Sequence, residues 1–362
     1  CAFARKSGAR ESVFCGMIRS IVFVFLFAAC AAAHTEDKPL QHILFGSCLD
    51  THEHPMLDRT LTLPCDLFLF LGDNVYADKD GGGLERMREK YRLLKTSRFF
   101  QGLHAKTPIL ATWDDHDYGI NDGGADFPLK REAQEEFWNW LDEPAGSAQR
   151  RQEGVYHSRV FGPAGRRVQV ILLDTRSFRS PLKTVPKEQA MLGGVYVPDD
   201  DPAKTMLGAA QWQWLENELR RPAELRLVVS SIQFAPAAHG GESWANLPRE
   251  RQRFIDLIHS TRAGGVVFLS GDRHWCEFSK VEVPGGYALY DFTSSAMTQK
   301  HPRGTPTGNP NRILPKTYHL PNVGALDIEW QEGDADLRVR IIDAEGQTQL
   351  EHTLRLSGLQ FP

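Results

Sequence analysis

Short apolar runs that stop abruptly at glycine, serine or aspartate recur along this chain, and each leads within a few positions to a residue with chemistry to offer. Residues 42–45 lead through Gly46 and Ser47 to Cys48, and 66–71 lead through Gly72 to Asp73, Asn74 and Tyr76. The run 108–113 reaches Asp114, Asp115, His116 and Asp117, and 168–173 reaches Asp174 and Arg176. Residues 225–229 pass Ser230 and Ser231 to Gln233, and 266–269 pass Ser270 and Gly271 to Asp272, Arg273 and His274. Runs this short, largely apolar and bounded by turn residues, predict strands buried on both faces. Neighbouring strands of this kind would gather their polar groups on one rim at the carboxyl ends, where open α/β sheets keep their sites.

Between the strands, apolar residues at helical spacing predict helices over 84–94, 131–141, 208–221 and 249–260, the last opened by Pro248. Their stripes, such as Phe137, Trp138 and Leu141 or Trp212, Leu215 and Leu219, read as core-facing surfaces. After a strand at 287–292, the alternating segments 325–330, 336–342 and 349–355 predict antiparallel strands with one covered face. Loops 78–83, 122–128, 177–204 and 301–315 are rich in glycine and proline, and two are long enough for rim or lid elements. With no internal repeat or linker, residues 34–362 read as one α/β domain.

Composition adds an address. Of the 362 residues, Met17 to Arg19 introduce a short apolar run at 21–27, and Ala31, Ala32 and Ala33 offer a small-residue cleavage site before His34, the order of a secretory signal peptide. The run is short for a membrane span. Met17 reads as the start, with residues 1–16 as upstream sequence; lipid attachment at Cys30 is a minor alternative. An exported protein, periplasmic, extracellular or in the secretory pathway, follows. Removing residues 1–33 takes away four basic residues and one acidic, moving the formal charge from −4 to −7, which disfavours a nucleic-acid partner. Cys48, Cys65 and Cys276 remain, an odd number that invites metal ligation by one thiol, against the alternative of buried inert cysteines.

At the second strand, Asp73 offers a hard anionic ligand and Tyr76 a phenolate, a pairing suited to a ferric or similarly acidic ion. The competing reading is a capping aspartate and a packing tyrosine.

Taken together and in order, Gly46-Ser-Cys48, Gly72-Asp-Asn-Val-Tyr76, Trp113-Asp-Asp-His-Asp117, Leu173-Asp-Thr-Arg-Ser-Phe-Arg179 and Ser270-Gly-Asp-Arg-His274 resemble the D-type alkaline phosphatase (PhoD-like) family of calcineurin-like metallophosphoesterases. The resemblance covers most of the chain from about residue 42. It implies a core of two mixed β-sheets flanked by helices, with two or more metals at the strand ends. By the same resemblance Asp73 bridges the metals, Tyr76, Cys48 and His274 bind iron, and Asp115 and Asp272 bind the second ion. His116 becomes the acid that protonates the leaving group or steadies the phosphoryl oxygens.

An oxygen-rich second site favours calcium, magnesium or manganese beside Fe3+. Arg176 is the candidate phosphate ligand, oriented by Asp174, and Asn74 a candidate donor to a phosphate oxygen. Gln233 takes the place of a family histidine, with His239 as the other contender. Asp50, Asp78 and Asp117 are extra oxygen ligands or turn residues. His157, His301 and His319 read as ordinary histidines, and Cys276 as packing behind the site.

The short stretch before the first strand and the ending on a strand leave no room for an amino-terminal β domain or a covering carboxyl-terminal helix, so an open mouth is expected. The resulting expectation is an exported metal-dependent phosphoesterase acting on phosphomonoesters, and on phosphodiesters or lipid head groups if the mouth is open. Its nucleophile would be a metal-activated hydroxide. The alternatives are a metal- or phosphate-binding protein of the same fold without catalysis, and a redox protein using the iron.

Overall fold

The computed structural model describes residues 38–79, 82–191, 194–237, 240–301 and 308–362. The expected leader, Cys30 and His239 lie outside them. The described strands are β1 (His42–Gly46), β2 (Leu67–Leu71), β3 (Ile109–Thr112), β4 (His157–Phe161), β5 (Val168–Leu172), β6 (Leu225–Ser230), β7 (Val266–Ser270), β8 (Glu277–Val281), β9 (Leu289–Thr293), β10 (Asn322–Gln331), β11 (Asp334–Asp343) and β12 (Thr348–Arg355).

They form two mixed six-stranded sheets, ordered β12-β11-β10-β1-β2-β3 and β4-β5-β6-β7-β9-β8. In the first, β1, β2 and β3 run parallel and β10 to β12 antiparallel; in the second, β5, β6, β7 and β9 run parallel.

Because side chains alternate along a strand, β1 and β2 feed two separate cores. Ile43, Phe45, Leu67, Leu69 and Leu71 pack with Val170, Leu172, Val229 and Leu269 of the other sheet. Leu44, Phe68 and Phe70 pack instead with Met87, Tyr91, Phe99, Phe137 and Trp140 from the helices Leu84–Thr96, Arg98–His104 and Lys130–Trp140. All five residues of β2 are buried, which is why its sequence is continuously apolar rather than alternating. The rim therefore draws on two stacked sheets and not on one row of neighbours.

β4 and β8 lack the apolar runs of the other strands. They are the two edges of the second sheet: on β4 the polar His157, Ser158 and Arg159 suit an edge that must not recruit another chain, while on β8 Glu277 and Ser279 are buried and bonded to Asn309 and Arg312, whose segment covers that edge.

Candidate metal centre

The rim is built from backbone that most residues avoid. Seven described non-glycine residues have positive φ, and five of them lie here: Cys48 (62°), Asp73 (52°), Asp122 (54°), Asp272 (71°) and His274 (58°). Each such conformation costs on the order of 1 kcal/mol and is kept where the surroundings enforce it. Gly72, at φ 109°, makes the turn out of β2, and a Cβ there would lie 2.7 Å from Asp114 Cβ. Gly271 is constrained by space, since a Cβ there would overlap the Ser47 hydroxyl, which donates to Ser294 O.

Ligand atoms of Cys48, Asp73 and His274 lie within 4.8 Å of one another. The Tyr76 hydroxyl joins them, donating to Asp73 Oδ2 at 3.2 Å and lying 2.9 Å from His274 Nε2. Ser295, just past β9, holds the group from behind: its hydroxyl accepts from His274 N at 2.8 Å and meets Cys48 Sγ at 3.2 Å. Burial pushes the Cys48 thiol up to about 12. It likewise pushes Tyr76 and Asp73 well above their ordinary ranges, with Asp73 also raised by Asp115 and Cys48. Burial, then the nearby His116, lowers His274 to about 4.

A second group shares Asp73 and comprises Asp73, Asp115 and His116; a third comprises Asp115, Asp122 and Glu242. Burial raises Asp115, but Arg176 and His116 outweigh it and hold the carboxyl at about 2. Burial would lower His116, yet its Nδ1 lies 2.7 Å from Asp78 Oδ1, and this bond with the Asp115 charge lifts it to about 9. Both Glu242 oxygens and Asp114 Oδ2 are buried without an aligned hydrogen-bond donor, although Arg176 and Arg179 stand within ion-pair distance of Glu242. The donor set fits two unlike cations. Thiol, phenol, imidazole and carboxylate suit a ferric-type ion, and carboxylates with spare lone pairs suit a hard divalent one.

Some expected site residues lie elsewhere. Arg176 is fully buried and spends its guanidinium on Asp114 and Glu242, with Nε 2.6 Å from Asp114 Oδ1, so it belongs to an internal ion-pair network and not to a phosphate cradle. Asp174 does not orient that guanidinium; its carboxylate accepts from the backbone N–H groups of Arg176, Ser177 and Val155. Gln233 donates to Glu277 Oε1 and Thr293 Oγ1, both at 2.9 Å, in a separate buried network.

The Asn74 amide donates to Thr112 O and Asp117 Oδ2, which leaves no donor for a phosphate. Asp117 is structural, collecting the N–H groups of Asp73, Asn74 and Asp114, and Asp50 pairs with Lys79. Asp272 stands beside the ligand groups but outside all three, within reach of Arg273. Asp122, Glu242 and Ser295 were not anticipated. Asp122 opens a glycine-rich loop read only as a loop, and Glu242 follows Gly240 and Gly241 with no strand end to mark it.

Buried acids raised in this way fix a pH dependence. Burial lifts Asp117 and Asp272 to about 7 and Asp122 to about 6. Between the unfolded carboxylate pKa near 4 and these values, the folded chain holds more protons than the unfolded one, so stability falls as pH rises. Chelator-treated protein is therefore expected to melt at a lower temperature at pH 7 than at pH 5, and added cations should raise the melting temperature more at pH 7. A flat profile would contradict this.

Two stacked mixed sheets with ligands converging from both at their strand ends define a phosphoesterase-type fold. The chain belongs to the PhoD-like phosphatase family, whose profile matches residues 47–340. It is 28% identical over 250 residues to alkaline phosphatase D of Bacillus subtilis (strain 168), an alignment covering 58% of this chain and 41% of that protein. The chain thus spans about two fifths of that relative's length. The solved structure of PhoD superposes with a TM-score of 0.67 at 20% identity, covering 90% of this chain and 72% of that one. GAP50, the anchor in the inner membrane complex of Plasmodium, shares the fold more distantly, at TM-score 0.50 and 9% identity over 90% of each chain.

Proposed function

We propose that this chain is an exported hydrolase of phosphoric esters working at a centre of Fe3+ and Ca2+, with Mg2+ or Mn2+ as substitutes for the latter. The observation that carries the reading is the set of three overlapping ligand groups linked through Asp73 and Asp115. Cys48, Asp73, Tyr76 and His274 would hold the iron; Asp73 and Asp115, with Asp122, Glu242 or Asp272, would hold the harder ion. Such cations acidify water and neutralise phosphate charge.

The chain's own groups do the rest. His116 has Nδ1 tied to Asp78 and carries a proton that Nε2 can give to a leaving oxygen. The Tyr76 ring lies 4.1 Å from the His116 ring and fixes its plane. Export is inferred from residues 17–33; no helix among the described residues is long and apolar enough to cross a membrane.

The test is release of phosphate from an aryl phosphate with iron and calcium supplied. Stoichiometric cation binding without any turnover would instead support a binding protein of this family. A second expectation is optical. Iron-loaded protein should absorb visible light through phenolate and thiolate, and Tyr76→Phe should shift or remove the band; an unchanged spectrum would exclude Tyr76 as a ligand.

A further inference from the structure

A guanidinium that adds to the metals' hold on phosphate must reach solvent, and Arg176 and Arg179 do not. Both are buried, and Glu242 and the carbonyls of Asp122 and Gly123 engage Arg179. Arg273 differs. It sits between two residues of the rim, Asp272 and His274, with its side chain 14% exposed. Its guanidinium lies 4.6 Å from the centre of the Trp275 ring, which fixes its plane.

The guanidinium makes one hydrogen bond among the described residues, a long 3.4 Å contact from Nη1 to Asp272 Oδ2. On another side it lies against the backbone of Gly241, where even a methyl group would overlap it. The guanidinium is thus aimed by an aromatic face and a glycine, with most of its donors uncommitted.

We propose that Arg273 contacts the substrate phosphate and biases the centre toward phosphomonoester dianions over phosphodiesters, an inference that rests on the phosphoesterase reading above. A monoester dianion presents three non-bridging oxygens and a second negative charge. A diester has two such oxygens and one charge, and its additional ester group cannot accept a guanidinium's paired donors. A fixed arginine beside the ligands therefore rewards the monoester more.

The experiment compares wild type, Arg273→Ala, Arg273→Lys and Gly241→Ala on an aryl phosphate and on a bis-aryl phosphate, with bound cations counted in each. Gly241→Ala keeps the charge but displaces the guanidinium, at a position where the backbone accepts a side chain. Arg273→Ala and Gly241→Ala are expected to lose about 10²-fold in monoester kcat/KM, with diester turnover changed about threefold or less and cation content unchanged. Arg273→Lys should recover part of the loss.

Calorimetry with orthophosphate and dimethyl phosphate reads the same contact without turnover, and only orthophosphate binding should weaken. Equal losses on both substrates, or lost cations, would make Arg273 a positioning residue for Asp272 and overturn the proposal, as would unchanged ratios. Wild-type protein that cleaves neither substrate would sink the hydrolase reading, while the calorimetry would still decide whether Arg273 distinguishes a phosphate dianion from a diester.

Discussion

Asp73→Asn protein is expected to fold, to melt at a higher temperature than wild type when stripped of cations, and to lose at least about 10³-fold in phosphoester turnover. That loss corresponds to about 4 kcal/mol of transition-state stabilisation. The opposite signs come from one carboxylate. Its burial beside Asp115, Cys48 and Asp114 makes the charge expensive in the metal-free fold. Asparagine keeps the shape, accepts the left-handed φ of 52° readily, and removes the charge. The same carboxylate belongs to both the Cys48–His274 and the Asp115–His116 groups, so its loss weakens both cation sites together. Thermal melts with and without cations, beside an aryl phosphate assay, check both halves. Full activity would remove Asp73 from the centre.

Arg176→Ala is expected to act on stability first. It would leave Asp114 and Glu242 as buried carboxylates short of their counter-charge, and breaking a buried pair from one side costs about 3–5 kcal/mol. In a chain of this size the melting temperature should fall on the order of 10 °C. Arg176→Met with Asp114→Asn and Glu242→Gln, which removes the charges together, should recover much of that loss. If Arg176→Ala instead melts like wild type and shows only a raised KM, the guanidinium serves substrate and its internal role is wrong.

The strand ends that matter were legible because burial on both faces leaves no polar residue to blur an apolar run, and because Gly46, Gly72 and Gly271 mark where each run stops. β11 and β12 were legible for the opposite reason, their alternation reporting one covered face, whereas β10 is buried on both faces at its start, with Val323 and Ala325 in one core and Leu326 and Ile328 in the other. The edges β4 and β8 were not, since an edge strand's polar residues resemble a loop. Within the site, Cys48, Asp73, Tyr76, Asp115, His116 and His274 come together as their motifs suggest. Arg176 misled because an arginine after a strand end looks the same whether it meets a substrate or an internal carboxylate. That partner, Glu242, is distant in sequence and carries no motif. Asp122 and Ser295 were hidden similarly, contributing through a loop and through the end of β9.

The left-handed residues of the rim bear on how this protein could be engineered. At Cys48, Asp73, Asp272 and His274 a glycine would relax the backbone, so a selection for heat resistance alone, run without cations, has reason to accept such changes. It would erode the rim one side chain at a time while the two sheets remained intact. Variants improved for thermostability should therefore be screened with cations present and for turnover at every round.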